Sequence, residues 1–172
     1  MASRNSRGST SGQSLVELAF ILPLLLLIIA NVVNFGGLFY ASITVATAAR
    51  HASQYWVIGG ATIGAPGHAE PGTINALITQ DIAPLPNSSS LALRVCQEDK
   101  AAPGTPACTT FGSGSFSNPA LDSRAEAGLF AMAWVDVQYT YQPYIPLFSI
   151  AGIPLTTTPQ TINRQSVMRM LQ

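Results

Sequence analysis

LAFILPLLLLIIANVVNFGGLFY, residues 18–40, is a run of 23 residues with no charged side chain, and its reading decides the architecture of the chain. About 20 apolar residues in a helix cross the hydrocarbon core of a bilayer, so the run is long enough to span one. Its flanks are unequal: Arg4 and Arg7 precede it with no acid among residues 1–16, and the next charge after it is Arg50. Cytoplasmic flanks collect Lys and Arg, which predicts a cytoplasmic N-terminus and an exported remainder. A cleaved secretory signal is the competing expectation. It needs an apolar core of roughly 7–15 residues followed directly by a small-x-small cleavage site. Here the core is longer, and the nearest such site, Ala46-Thr47-Ala48, lies well beyond it.

Composition agrees with an anchor. Hydrophobic residues make up 48% of the 172, and charged residues only 9%, against roughly 25% in an average soluble domain. Eight basic and eight acidic residues cancel, and the basic ones form no stripe, which argues against nucleic acid as a partner. About 110 residues remain beyond the N-terminal third, enough for one domain with its own core.

The helical pattern continues past the apolar run. Residues 41–58, ASITVATAARHASQYWVI, contain neither Gly nor Pro, and the first strong breaker is Gly59-Gly60. A helix over 13–58 is on the order of 70 Å long at 1.5 Å per residue, so its second half is expected outside the membrane. Gly37, Ala41, Thr44, Ala48 and Ala52 recur at three- and four-residue steps and form one narrow face of small side chains. Such a face suits close packing, either against helices of other subunits or against the chain's own domain. Pro23 lies within the apolar run, where it removes one helical hydrogen bond and favours a bend. Glu17 stands at the head of the run, an unfavourable place for a plain anchor to carry a carboxylate.

A short basic leader, MASRNSRGSTSG over residues 1–12, precedes Gln13-Ser14-Leu15-Val16-Glu17 and the apolar helix. This arrangement resembles the type IV pilin class of precursors, in which a membrane peptidase cuts after a Gly and leaves a Glu as the fifth mature residue. Counted from Gln13, Glu17 is fifth. More narrowly, Gly12, Glu17, Pro23, Asn34-Phe35-Gly36 and Ala48-Ala49-Arg50 are similar to the pattern of TadE-like proteins, minor pseudopilins of the tight-adherence (Flp) pilus systems. The resemblance implies processing between Gly12 and Gln13, a single-pass protein of the bacterial inner membrane, and an exported domain that is periplasmic or extracellular. It leaves open whether the protein enters a pilus or stays at its base. The implied partners are the prepilin peptidase, other Tad pseudopilins, the major Flp pilin and the inner-membrane assembly platform. Glu17 has a physical role available there: cleavage would free an amine at Gln13, and the amine of one subunit can meet Glu17 of a neighbour in a low-dielectric bundle. A slipped register would leave that charge uncompensated, so the pair acts as an assembly key. The competing expectation is an uncleaved helix that only tethers an exported binding or adhesin domain.

The organisation expected from these signals is a leader at 1–12, a transmembrane and extended helix at 13–58, a Gly/Pro-rich hinge at 59–72 and an exported domain at 73–172. The fold class is α+β, a long N-terminal helix leading into a small domain with an antiparallel sheet. A short helical pattern covers 73–82, ended by Pro84 and Pro86. Alternation predicts strands over 90–96 and, most clearly, over Ala131–Tyr141, AMAWVDVQYTY; a further strand is expected within 153–170. Cys96 and Cys108 are the two cysteines, and in an exported domain this spacing predicts a disulfide across a Pro/Gly-containing loop, with two buried thiols as the alternative.

No catalytic constellation emerges. His51 and His68 are isolated, neither CxxC nor HExxH occurs, and Gly59, Gly60, Gly64 and Gly67 follow a membrane helix, which is not the setting of a phosphate loop. Asp122 and Glu126, with Arg124 between them, have the spacing of a solvated helix face. Asn87-Ser88-Ser89 matches a glycosylation acceptor, a pattern too short to carry a site. No enzyme activity, metal, cofactor or small-molecule substrate is expected.

Overall fold

The computed structural model describes residues 11–59, 69–98, 106–117, 131–145, 149–150 and 152–170. His68, Asp122, Arg124 and Glu126, and most of the expected hinge, lie outside them. The first helix, α1, runs unbroken over Ser11–Ile58 and contains Pro23. Gly59 follows it at φ 75°, a left-handed conformation in which a side chain would be strained, and its N–H still bonds the Tyr55 carbonyl at 3.0 Å. The chain divides into two compact units, residues 1–37 with 143–158, and residues 38–142 with 159–172.

The second unit holds the main core. Its helix α2, Pro71–Ile82, starts with proline at a position where no amide donor is missed and ends just before Pro84. A 3-10 turn at Ser88–Ser90 leads into β1, Ala92–Gln97, which is followed by β2, Ala107–Phe111, β3, Ala131–Tyr141, and β6, Gln160–Met170. These four strands form one antiparallel sheet in the order β2-β1-β3-β6. β3 is interior, with Val135 opposite Val95 on one side and Ser166 on the other. Its alternation explains this place. Ala133, Val135, Val137, Tyr139 and Tyr141 all point to one face and are all buried.

That face meets the helices. Ala41, Val45, Ala48, Ala49, Ala52 and Trp56 form the buried stripe of α1, and Ile74, Ile78 and Ile82 that of α2; both belong to one cluster with Leu93, Val95 and the β3 residues. Full burial of each isoleucine contributes about 1.5–3 kcal/mol. Alanines on α1 let the helix backbone come close to the sheet, and two polar clips fix its position. Ser53 Oγ lies 2.7 Å from Ser166 Oγ, and Arg164 Nη2 donates to Ser42 Oγ at 2.8 Å. The Tyr139 hydroxyl donates to the Pro86 carbonyl, tying the α2–β1 connection to the sheet.

β2 is the strand that the sequence reading does not assign. It is a five-residue edge with four exposed positions, and its one-sided neighbour supplies the pairing that its own pattern does not announce. The chain between β3 and β6 belongs to the first unit. There β4, Ser149–Ile150, pairs with β5, Ile153–Pro154, in a small antiparallel hairpin.

Candidate functional site

In the first unit, α1 is apolar on every side. Residues 12–26 are all exposed, among them Leu15, Phe20, Leu24 and Leu25. A helix without a polar face has no favourable solution in water and a good one in lipid. Among the described residues α1 is the helix long and apolar enough to cross a membrane, and a single N-terminal helix of this kind fits a single-pass membrane protein. At its head, Gln13 Nε2 donates to Glu17 Oε1 at 3.4 Å across one turn, with both side chains exposed. Gly12 is also in the helix, and a Cβ built there would meet nothing within 4 Å. Local packing therefore gives no reason for glycine at 12, in the first turn of α1.

Higher on α1, two asparagines make the unit's tertiary contacts. Asn34 is fully buried; its Oδ1 accepts from the Ile145 N–H at 3.0 Å, and its Nδ2 donates to the Ile145 carbonyl at 3.2 Å. One turn below, Asn31 Nδ2 donates to the Leu155 carbonyl at 3.0 Å and to the Leu27 carbonyl at 3.0 Å. Both amides thus read backbone of the β4–β5 segment as a strand neighbour would. In the sequence Asn34 stands out only within the Asn34-Phe35-Gly36 step and Asn31 not at all; the signal for both is an amide inside an apolar run, which needs a partner away from water.

The small-residue face of α1 divides. Gly37 is half-buried in the first unit. In the second unit Ala41, Ala48 and Ala52 are buried in the chain's own core, and Thr44 is half-buried with its hydroxyl bonded to the Tyr40 carbonyl at 2.9 Å. Of the two uses open to this face, intramolecular docking is the one seen at the three alanines. Cys96 and Cys108 are directly opposed across β1 and β2 and joined by a disulfide, with Cα atoms 4.1 Å apart.

Titratable groups gather in two places. Arg94 and Asp136 form a buried pair on the sheet face turned away from the helices, with Arg94 Nη2 2.7 Å and Nε 2.8 Å from Asp136 Oδ2. Gln165 Nε2 donates to Asp136 Oδ1 at 2.5 Å, Arg94 also donates to the Ser117 carbonyl at 2.7 Å, and its guanidinium lies 5.3 Å from the centre of the Phe116 ring. With its bonding capacity spent on neighbours, the pair braces the sheet rather than presenting a reactive group. A cavity of about 150 Å³ beside it is lined by Phe116, Asp136, Asn163 and Gln165. His51 Nδ1 lies 3.8 Å from Asp81 Oδ2, the histidine exposed and the aspartate half-buried, beside a cavity of about 250 Å³ along Thr44, Thr47 and Ala48. Among the described residues no group of three His, Cys, Asp or Glu is placed to hold a metal ion. Asn87, in a left-handed conformation, donates its side-chain amide to the Thr140 carbonyl at 3.0 Å, a turn-stabilising role.

Comparison with known proteins converges on α1. The family model described as TadE-like protein matches residues 12–54, which spans Gly12, Glu17, both asparagines and the small-residue face. No curated protein and no solved structure matches the chain.

Proposed function

We propose, from the TadE-like character of residues 12–54, that this Tad pilus-related membrane protein is a minor pseudopilin, processed between Gly12 and Gln13 and acting by helix packing with other pilus subunits. The observation that carries this reading is the head of α1. A glycine that packing does not require is followed, five residues on, by an exposed carboxylate, and then by a helix apolar all round, exposed throughout residues 12–26. Cleavage places a new amine at Gln13, one turn from Glu17, and the same carboxylate that now accepts from the Gln13 side chain is available to the amine of a neighbouring subunit. Because Ala41, Ala48 and Ala52 are occupied internally, packing between subunits falls to the apolar surface of residues 15–33. The activity is association, not catalysis. The partners are other Tad pseudopilins, the major Flp pilin, the prepilin peptidase and the inner-membrane platform, with the N-terminus cytoplasmic and residues 73–172 exported.

The burial of those three alanines favours one second reading, an uncut helix that tethers an exported binding or adhesin domain, since it leaves no small-residue face for neighbours. Intact mass and N-terminal sequencing of the protein from membranes of cells with and without the prepilin peptidase separate the two. A chain that starts at Gln13 only when the peptidase is present is the expected result. The same uncut chain in both strains rejects processing and leaves the tether.

A further inference from the structure

We infer that the β4–β5 hairpin and its described flanks, residues 143–145, 149–150 and 152–158, form a second membrane-contacting element, an apolar hairpin seated in the headgroup–acyl boundary at the C-terminal end of the apolar run and held there by Asn31 and Asn34. The inference rests on the membrane reading of α1 and not on processing after Gly12.

Three observations place lipid, rather than water, around it. The first is position. Asn31 and Asn34 lie inside the uncharged run 18–40, and the Ile145 and Leu155 backbones are hydrogen-bonded to them, so this part of the segment sits at the depth of the helix itself. Two anchor points one helical turn apart along α1 fix that depth rather than merely permitting it. The second is composition. Residues 137–163 contain no charged side chain, and residues 143–155 read PYIPLFSIAGIPL. Ile153 and Tyr144 are exposed, at 65% and 53%, in the same unit as the exposed apolar residues of α1. A tyrosine beside apolar residues is the usual furniture of the membrane–water boundary, where its ring and hydroxyl are both satisfied.

The third is the management of backbone polarity. Lipid tolerates irregular backbone only where its donors and acceptors are paired. Here Ser149 and Ile150 pair with Pro154 and Ile153, Asn34 takes both the donor and the acceptor of Ile145, and Asn31 takes the carbonyl of Leu155. Pro143, Pro146, Pro154 and Pro159 bring no N–H at all. Gly152 adopts φ 81° beside β5, and a Cβ there would meet nothing within 4 Å, so the glycine serves the turn and not a contact. These pairings withdraw backbone groups of Ile145, Leu155 and the β4–β5 ladder from the need for water. The boundary, about 5–10 Å into the bilayer surface, is where such a partly paired apolar element is favourable.

The test uses the full chain in proteoliposomes made with or without acyl-brominated phospholipid, which quenches tryptophan in contact with the acyl region. Ile153→Trp and Phe20→Trp each place a tryptophan at an exposed position, and Val167→Trp, on the sheet of the other unit, serves as the aqueous reference. Unmodified protein gives the background of Trp56 and Trp134. The expected result is loss of the added emission in brominated vesicles for Phe20→Trp and Ile153→Trp, and none for Val167→Trp. Quenching of Phe20→Trp without quenching of Ile153→Trp overturns the hairpin's lipid contact while the helix remains in the membrane. A blue-shifted but unquenched Ile153→Trp likewise overturns it and assigns the hairpin to a protein neighbour. Failure at both positions removes the membrane reading of α1 together with this inference.

Discussion

Asp136 lies in mid-strand on β3 with Arg94 opposite it on β1, and each is about nine-tenths hidden from solvent. A buried pair contributes little compared with apolar replacements of equal size, but removing one partner leaves an uncompensated charge. Asp136→Ala or Arg94→Met alone is expected to cost roughly 3 kcal/mol, read as a lower denaturation midpoint of the full chain in detergent, whereas Arg94→Met with Asp136→Leu loses much less. Equal losses for the single and double variants would show that the pair itself, not the orphaned charge, supplies the stability. Glu17 behaves differently. It is exposed and accepts from the Gln13 side chain, so Glu17→Ala is expected to leave the melting of the second unit unchanged while reducing surface pili in cells. Normal piliation with Glu17→Ala would favour the tether.

At the scale of elements, α1 has two kinds of surface along one continuous helix. Its stripe at Ala48 and Ala52 packs at the floor of the core, so Ala48→Leu is expected to destabilise by about 1–3 kcal/mol through overpacking. Unchanged stability with impaired assembly would instead show that this stripe serves other subunits. Lower on the helix Leu24 and Leu25 are exposed, and Leu25→Asp is expected to add about 2.5–3.5 kcal/mol to membrane insertion, seen as protein lost from the membrane fraction. The edge strand β2 is short and exposed, and its attachment depends on the Cys96–Cys108 bridge as well as on backbone pairing. Reduction is expected to lower stability by roughly 2–3 kcal/mol through the entropy regained by the opened loop, measured as a shift in thermal midpoint with and without reductant.

For the whole molecule, one polypeptide combines an apolar helix and a small antiparallel sheet, and the α+β class follows from two periodicities that need no tertiary information. The absence of charge from 18 to 40 announces the helix, and alternation from Val135 to Tyr141, within an apolar β-favouring run from Ala131, announces the central strand, because an all-apolar helix and a half-polar strand are written directly into residue order. β2 was not legible. Ala107–Phe111 is an exposed edge whose pairing depends on β1, and an edge strand has no buried face to leave a pattern.

Glu17 stands out in the sequence because a charge at the head of an apolar run is costly, and Gly12 is noticed only by its place five residues before it. The use of Ala41, Ala48 and Ala52 was not legible, since small residues at helical spacing permit any close neighbour, and only the structure shows the sheet and α2 in that place. Asn31 and Asn34 are the sharpest case. Residue order alone determined that two amides in an apolar helix must find partners. Only the tertiary structure decided that the partners are the backbones of Ile145 and Leu155, more than a hundred residues away, because hydrogen bonds between distant segments depend on how the chain returns and leave no periodicity in the sequence.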